Sequence, residues 1–108
     1  MHFMMPERFS AATNRFYPLR EGLLFYIGEK CLSVLTAFIL RVQIDGELFL
    51  ATSDIIDIYE DGEEVDVAIE HYLSSLADEL AWFEAHKETL SPAFLADLER
   101  LRHYVKLV

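Results

Sequence analysis

The chain has 108 residues, 53% of them hydrophobic, with 19 acids against nine Lys and Arg and a net charge of -10. That size and hydrophobicity exclude wholesale disorder and suffice for a single domain, 1–108, with a real core and no need of a metal or disulfide. The charge argues against direct binding of nucleic-acid backbones, and the one cysteine, Cys31, excludes an intrachain disulfide and points to a reducing cytoplasm.

Residues 1–18 show weak periodicity, are punctuated by Pro6 and Pro18, and carry Phe3, Phe9, Phe16 and Tyr17. They are expected to form an irregular arm or a short helix. The opening "MHFMMPERFS" lacks the basic end, apolar centre and small-residue cleavage site of a secretory signal. The most apolar run, "LLFYIGEKCLSVLTAFIL", is interrupted by Glu29 and Lys30 before it reaches spanning length. It reads as buried strands, with a membrane segment as the alternative. "GLLFYIG" is a short strand, and a second strand is expected over 34–44. Cys31, in this apolar run, reads as a buried structural thiol.

Asp45-Gly46 is the best turn signal of the first half, because an Asp-Gly pair takes the positive φ angles of a two-residue hairpin turn and apolar runs flank the pair. "ELFLATS" is the returning strand. "DIIDIYE" makes a third, with Ile56 and Ile58 on one side and Asp57 and Tyr59 on the other, and Gly62 ends it.

A helix is expected over 63–86. Val65, Ala68, Ile69, Tyr72, Leu73, Leu76, Leu80 and Phe83 lie on one stripe at its 3.6-residue period. A second helix follows in "LSPAFLADLERLRHYV". Ser91 is its N-cap, Pro92 its first helical residue, and Leu90 and Leu95 have the spacing of a hydrophobic staple. Phe94, Leu98, Leu101, Val105 and Val108 supply its stripe. The expected fold is α+β: a three- or four-stranded, mostly antiparallel sheet followed by a C-terminal helical hairpin.

The acids are unevenly placed. Residues 45–99 hold sixteen acids and one base, Lys87, while the segments on either side are net positive. Around Gly62 stand Asp57, Glu60, Asp61, Glu63, Glu64 and Asp66. A calcium loop fails by position: Tyr59 occupies an alternate ligand place, and Ala68 stands where the glutamate six residues after the glycine is needed. The four histidines make neither HExxH nor a close Cys/His pairing, so no zinc site is expected. Acid-base chemistry would need a cleft that raises one carboxyl, and four scattered glycines make no phosphate loop. No enzyme activity, catalytic residue, cofactor or metal is therefore expected. Helix electrostatics accounts for Glu63, Glu64 and Asp66 near the positive end of the macrodipole. It does not account for Glu60 and Asp61. Two apolar residues, Val67 and Trp82, fall off the buried stripe: either the second helix or the N-terminal arm covers them, or they meet an oligomer or other partner, for which Trp82 is the natural anchor.

The order strand, Asp-Gly turn, strand, glycine-ended strand, then a helix opening "GEEVDVAI", resembles the N-terminal domain of HicB-like antitoxins. Gly62, Glu63, Val65, Asp66, Ala68 and Ile69 match that family's segment, and "IDGELFLATS" is similar to its hairpin. The resemblance covers about residues 36–76. Glu64 stands where a threonine cap is usual, Val67 replaces the second acid, and "SDIIDI" stands in place of a Pro-Gly-Cys-like turn. A second helix takes the place of the family's last strand or DNA-binding module, so DNA binding is not implied. What the resemblance implies is a non-catalytic protein that covers a basic toxin.

Three functions are open from the residues. The first is an antitoxin-like acidic protein that neutralises a basic partner, steered by Asp57, Glu60, Asp61, Glu63, Glu64 and Asp66. The second is a phage or mobile-element inhibitor, of the anti-CRISPR type, whose acids imitate nucleic-acid phosphates. The third is a structural homodimer or larger homo-oligomer, joined through a sheet edge or the Trp82 side of the first helix.

Overall fold

The structure, a computed structural model, describes residues 14–108. Nine elements follow in chain order: β1 (Asn14–Leu19), β2 (Leu24–Ile27), β3 (Lys30–Val34), β4 (Phe38–Asp45), β5 (Leu48–Ser53), β6 (Tyr59–Gly62), α1 (Val65–Ala85), α2 (Pro92–Tyr104) and β7 (Val105–Leu107). The expected α+β architecture is present. An antiparallel four-stranded sheet has the order β1-β4-β5-β6, and two helices follow it. A second antiparallel sheet, β2-β3-β7, was not anticipated.

Local expectations are corrected at several points. Residues 14–18 belong to β1, not to an irregular arm. Arg15, Tyr17 and Leu19 alternate toward the core and pair with Val42, Leu40 and Phe38 of β4. The remainder of the expected arm, residues 1–13, lies outside the described residues. The single strand expected over 34–44 is divided, because the backbone N–H groups of Leu35 and Thr36 donate to the Tyr104 carbonyl at 2.7 and 3.3 Å, and Thr36 Oγ1 donates to the His103 carbonyl at 2.9 Å. These residues satisfy the orphan carbonyls at the end of α2 and so cannot continue a ladder.

The third correction concerns "DIIDIYE". Ile55 and Ile56 are both buried, which a strand with alternating faces does not allow. The segment bends instead, with Ile55 N–H donating to Ser53 Oγ at 3.3 Å, and the strand begins only at Tyr59. Finally, Val105 is extended (φ -143°, ψ 160°) and starts β7 opposite Val34, so the helical stripe stops at Tyr104. Cys31 is half-buried on the face of β3 opposite Leu32 and Val34, not enclosed.

The hairpin turn is present, but it lies one residue beyond the expected Asp45-Gly46 pair, and Asp45 stays in the strand. Asp45 closes the ladder with Leu48, leaving Gly46 and Glu47 as the two-residue loop. Gly46 alone takes a positive φ, 68°, the II′ arrangement with glycine first.

One core joins both sheets and both helices. Leu40, Val42 and Ala51 come from the large sheet, Leu32, Val34 and Val105 from the small one, and Leu98 and Leu101 from α2. The anticipated stripe of α1 supplies Ala68, Tyr72, Leu73, Leu76, Leu80 and Phe83, all buried, together with Ala77. Each fully buried leucine stabilises the fold by ~1.5–3 kcal/mol relative to exposure. Phe83 meets Phe94 near the start of α2 (5.7 Å between ring centroids), while Glu84 meets Arg102 near its end. Positions 94 and 102 are about 12 Å apart along a helix axis. One turn of α1 therefore touches both ends of α2, and the hairpin's second helix crosses the C-terminal end of the first. Among the described residues no helix is long and apolar enough to cross a membrane.

Candidate partner-binding surface

The register of the large sheet brings distant acids together. Asp45 pairs with Leu48, and Phe49 pairs with Gly62. The hairpin tip, with Asp45 and Glu47, therefore lies beside the strand-to-helix corner, with Asp61, Glu63, Glu64 and Asp66. All six are exposed. Their side chains form no hydrogen bond or ion pair among the described residues: the three ion pairs, Lys30–Asp78, Arg100–Asp97 and Arg102–Glu84, lie elsewhere. A hollow of 380 Å³ opens at this corner, lined by Leu48, Asp61, Gly62, Glu63, Glu64, Val67 and His71.

Gly62 is required here by contact, not by its φ. A Cβ at that position would sit 2.5 Å from the Ala68 amide nitrogen and 2.9 Å from Val67 Cγ1. The first turn of α1 thus rests directly on the end of β6. Val67, off the buried stripe as its position indicates, covers the glycine and is half-buried. His71 Nδ1 lies 2.7 Å from the Asp61 carbonyl, tying α1 to the outer edge of β6. The helix covers an edge that would otherwise present unpaired backbone groups.

The six acids singled out in the sequence do not form one patch. Asp61, Glu63, Glu64 and Asp66 do gather, joined by Asp45 and Glu47, which sequence reasoning did not select. The signal was available: the Asp-Gly turn sets the β4–β5 register, and a strand ending at Gly62 beside β5 must finish near the turn. Glu60 points to the inner side of the sheet, where its carboxylate accepts a hydrogen bond from Ser75 Oγ at 2.6 Å. Asp57 is exposed in the bend before β6, at the end of that strand away from Gly62. Trp82 is 49% exposed near the other end of α1, stacked on His86 with ring centroids 4.2 Å apart. It borders a second hollow, of 440 Å³, with Asp78, Glu79, Phe83 and Phe94.

Burial raises the Tyr72 hydroxyl; its bond with Ser53 Oγ (2.5 Å) opposes that, and Asp54 adds to it. The hydrogen bond from Arg102 lowers Glu84. No group of three or more His, Cys, Asp or Glu able to hold a metal ion occurs among the described residues. The surface can thus attract cations and accept hydrogen bonds, and its hollows offer apolar floors. No family model, no curated protein and no solved structure matches this chain.

Proposed function

We propose that this chain is a non-catalytic acidic binding protein that neutralises a basic protein partner, in the manner of an antitoxin. The observation that carries the reading is the convergence of Asp45 and Glu47 with Asp61, Glu63, Glu64 and Asp66 at one end of the sheet, with no cation paired to them among the described residues. Uncompensated like charge costs stability through self-repulsion, so its retention at one place favours a use in recognition. Complementary charge speeds encounter and excludes wrong partners, while apolar contacts hold the complex. The likeness of residues 36–76 to HicB-like antitoxin domains supports the same reading and suggests a basic toxin as the partner. A nucleic-acid-binding protein, approached through phosphate mimicry, is the other partner of this chemistry.

Affinity capture from the native host tests the proposal. The unmodified chain is expected to retain a basic protein, and the Asp61→Lys, Glu63→Lys, Glu64→Lys variant to lose it while melting at a similar temperature. Equal capture by both proteins would sink the reading.

A second reading, a homodimer, is favoured by one feature. The outer face of the large sheet carries Phe16, Ile39 and Tyr59, each more than half exposed, around Arg41. Light scattering at high concentration decides it: a monomer removes this reading.

A further inference from the structure

Val67 and Trp82 are the two large apolar residues of α1 that fall off its buried stripe. With His71 and Asp78 they form a stripe of their own, at spacings of four, seven and four residues, which spans only about 60° around the helix. The two ends are about 22 Å apart, close to four helical turns. Each end opens into a hollow with an acidic rim: Asp61, Glu63 and Glu64 around Val67, and Asp78 and Glu79 around Trp82. Between them the flank is polar, with Ser75 held by Glu60 and His71 held by the Asp61 carbonyl. One cation of the chain already visits this track: Lys30 Nζ lies 2.8 Å from Asp78 Oδ1, with Lys30 partly and Asp78 largely exposed.

Resting on the proposed function above, we propose that this flank of α1 docks one cationic amphipathic helix of the partner protein, with apolar side chains seated at Val67 and at Trp82. The argument for the occupant is complementarity. Acids at both hollows select a basic segment. The spacing of the two apolar sites matches four turns of a second helix lying along α1, which presents apolar side chains at the same interval. The helix-in-groove mode draws its affinity from such anchors, and an aromatic such as Trp82 dominates it. Lys30 is the internal competitor that the partner's cation displaces from Asp78.

Trp82 is the chain's single tryptophan, so its emission reports occupation of the far hollow directly. The probe is a synthetic helical peptide of about six turns, rich in Lys, free of Trp and Tyr, with leucines at the spacing of Val67 and Trp82 and a lysine placed to meet Asp78. A scrambled peptide of equal charge is the control. Binding of the patterned peptide is expected to shift Trp82 emission to shorter wavelength and protect it from acrylamide, with the scrambled peptide at least tenfold weaker. Val67→Lys, at the distant hollow, is expected to weaken binding at least tenfold at unchanged melting temperature, and Lys30→Gln to strengthen it severalfold. If Val67→Lys melts early, Val67→Thr keeps the branched shape over Gly62 and is expected to weaken binding at least threefold. Equal binding of the two peptides overturns the inference, as does binding that ignores Val67 and leaves Trp82 emission unchanged. If in those cases affinity still falls on Glu63→Lys with Glu64→Lys, the acidic-binding reading survives and only the groove fails. Absence of binding by either peptide overturns the groove and counts against the reading beneath it.

Discussion

The two helices begin in opposite ways. At α2, Ser91 Oγ accepts a hydrogen bond from the Phe94 amide at 3.3 Å, Pro92 occupies the first turn, and that turn holds no acid. At α1, Glu64 makes no side-chain cap bond, Asp66 stands in the first turn, and Gly62 allows the helix to rest on β6. The start of α2 is a local solution written within the four residues 91–94. The start of α1 is a tertiary one, fixed by contact with a strand. The contrast teaches that acids around α1 are not substituting for a missing cap in proportion to their number. Dipole stabilisation falls off within one turn and reaches only ~0.3–1 kcal/mol per charge. Asp45, Glu47 and Asp61 lie outside that turn.

The contrast can be broken most forcefully at Gly62. Gly62→Ala places a methyl against the Ala68 backbone nitrogen and Val67, neither of which can yield cheaply. A loss of ~1–3 kcal/mol or more is expected, read from chemical denaturation. An unchanged midpoint would show that α1 is not seated on this glycine. A paired substitution sharpens the comparison next. Ser91→Ala should cost about 1 kcal/mol, whereas Glu64→Ala should cost no cap energy. Equal losses at the two sites would contradict the assignment of one start as capped and the other as not.

A smaller effect is expected where α2 ends. The hydrogen bond from Arg102 lowers Glu84, so the charged carboxylate is favoured in the folded state. A depressed folded value gives stability that is complete above the unfolded glutamate range. It is lost as pH falls through the lowered folded value. Both side chains are more than a third exposed, so the contribution is that of a surface pair, ~0.2–1 kcal/mol. The difference in stability between the unmodified chain and Glu84→Gln should therefore be present at neutral pH and vanish in acid. A difference that persists in acid would point to packing rather than charge.

How far the sequence reveals this molecule follows the same division between local and tertiary causes. The stripe of α1, the Ser91-Pro92 start of α2 and the turn at Gly46 were all legible, because each is set by neighbours in the chain. The break at Leu35–Thr36 was not, since its cause is the carbonyls of His103 and Tyr104 nearly seventy positions away. Nor was β7, whose Val105 continues a helical stripe by spacing yet pairs with Val34. For the candidate surface, Asp61, Glu63, Glu64 and Asp66 were found by their crowding around Gly62. Asp45 and Glu47 join them only through strand register. Glu60, counted with them in sequence, turns to Ser75 because strand residues alternate in direction.

The claim at the centre of this account is that acids at the sheet end serve recognition and not folding. Its most direct test is the melting temperature of a variant carrying Asp45→Asn, Glu47→Gln, Asp61→Asn and Glu63→Gln, measured at low salt. Relief of self-repulsion predicts a value equal to or above that of the unmodified chain. A fall of several degrees would mean that these carboxylates hold the fold together, and would contradict the account.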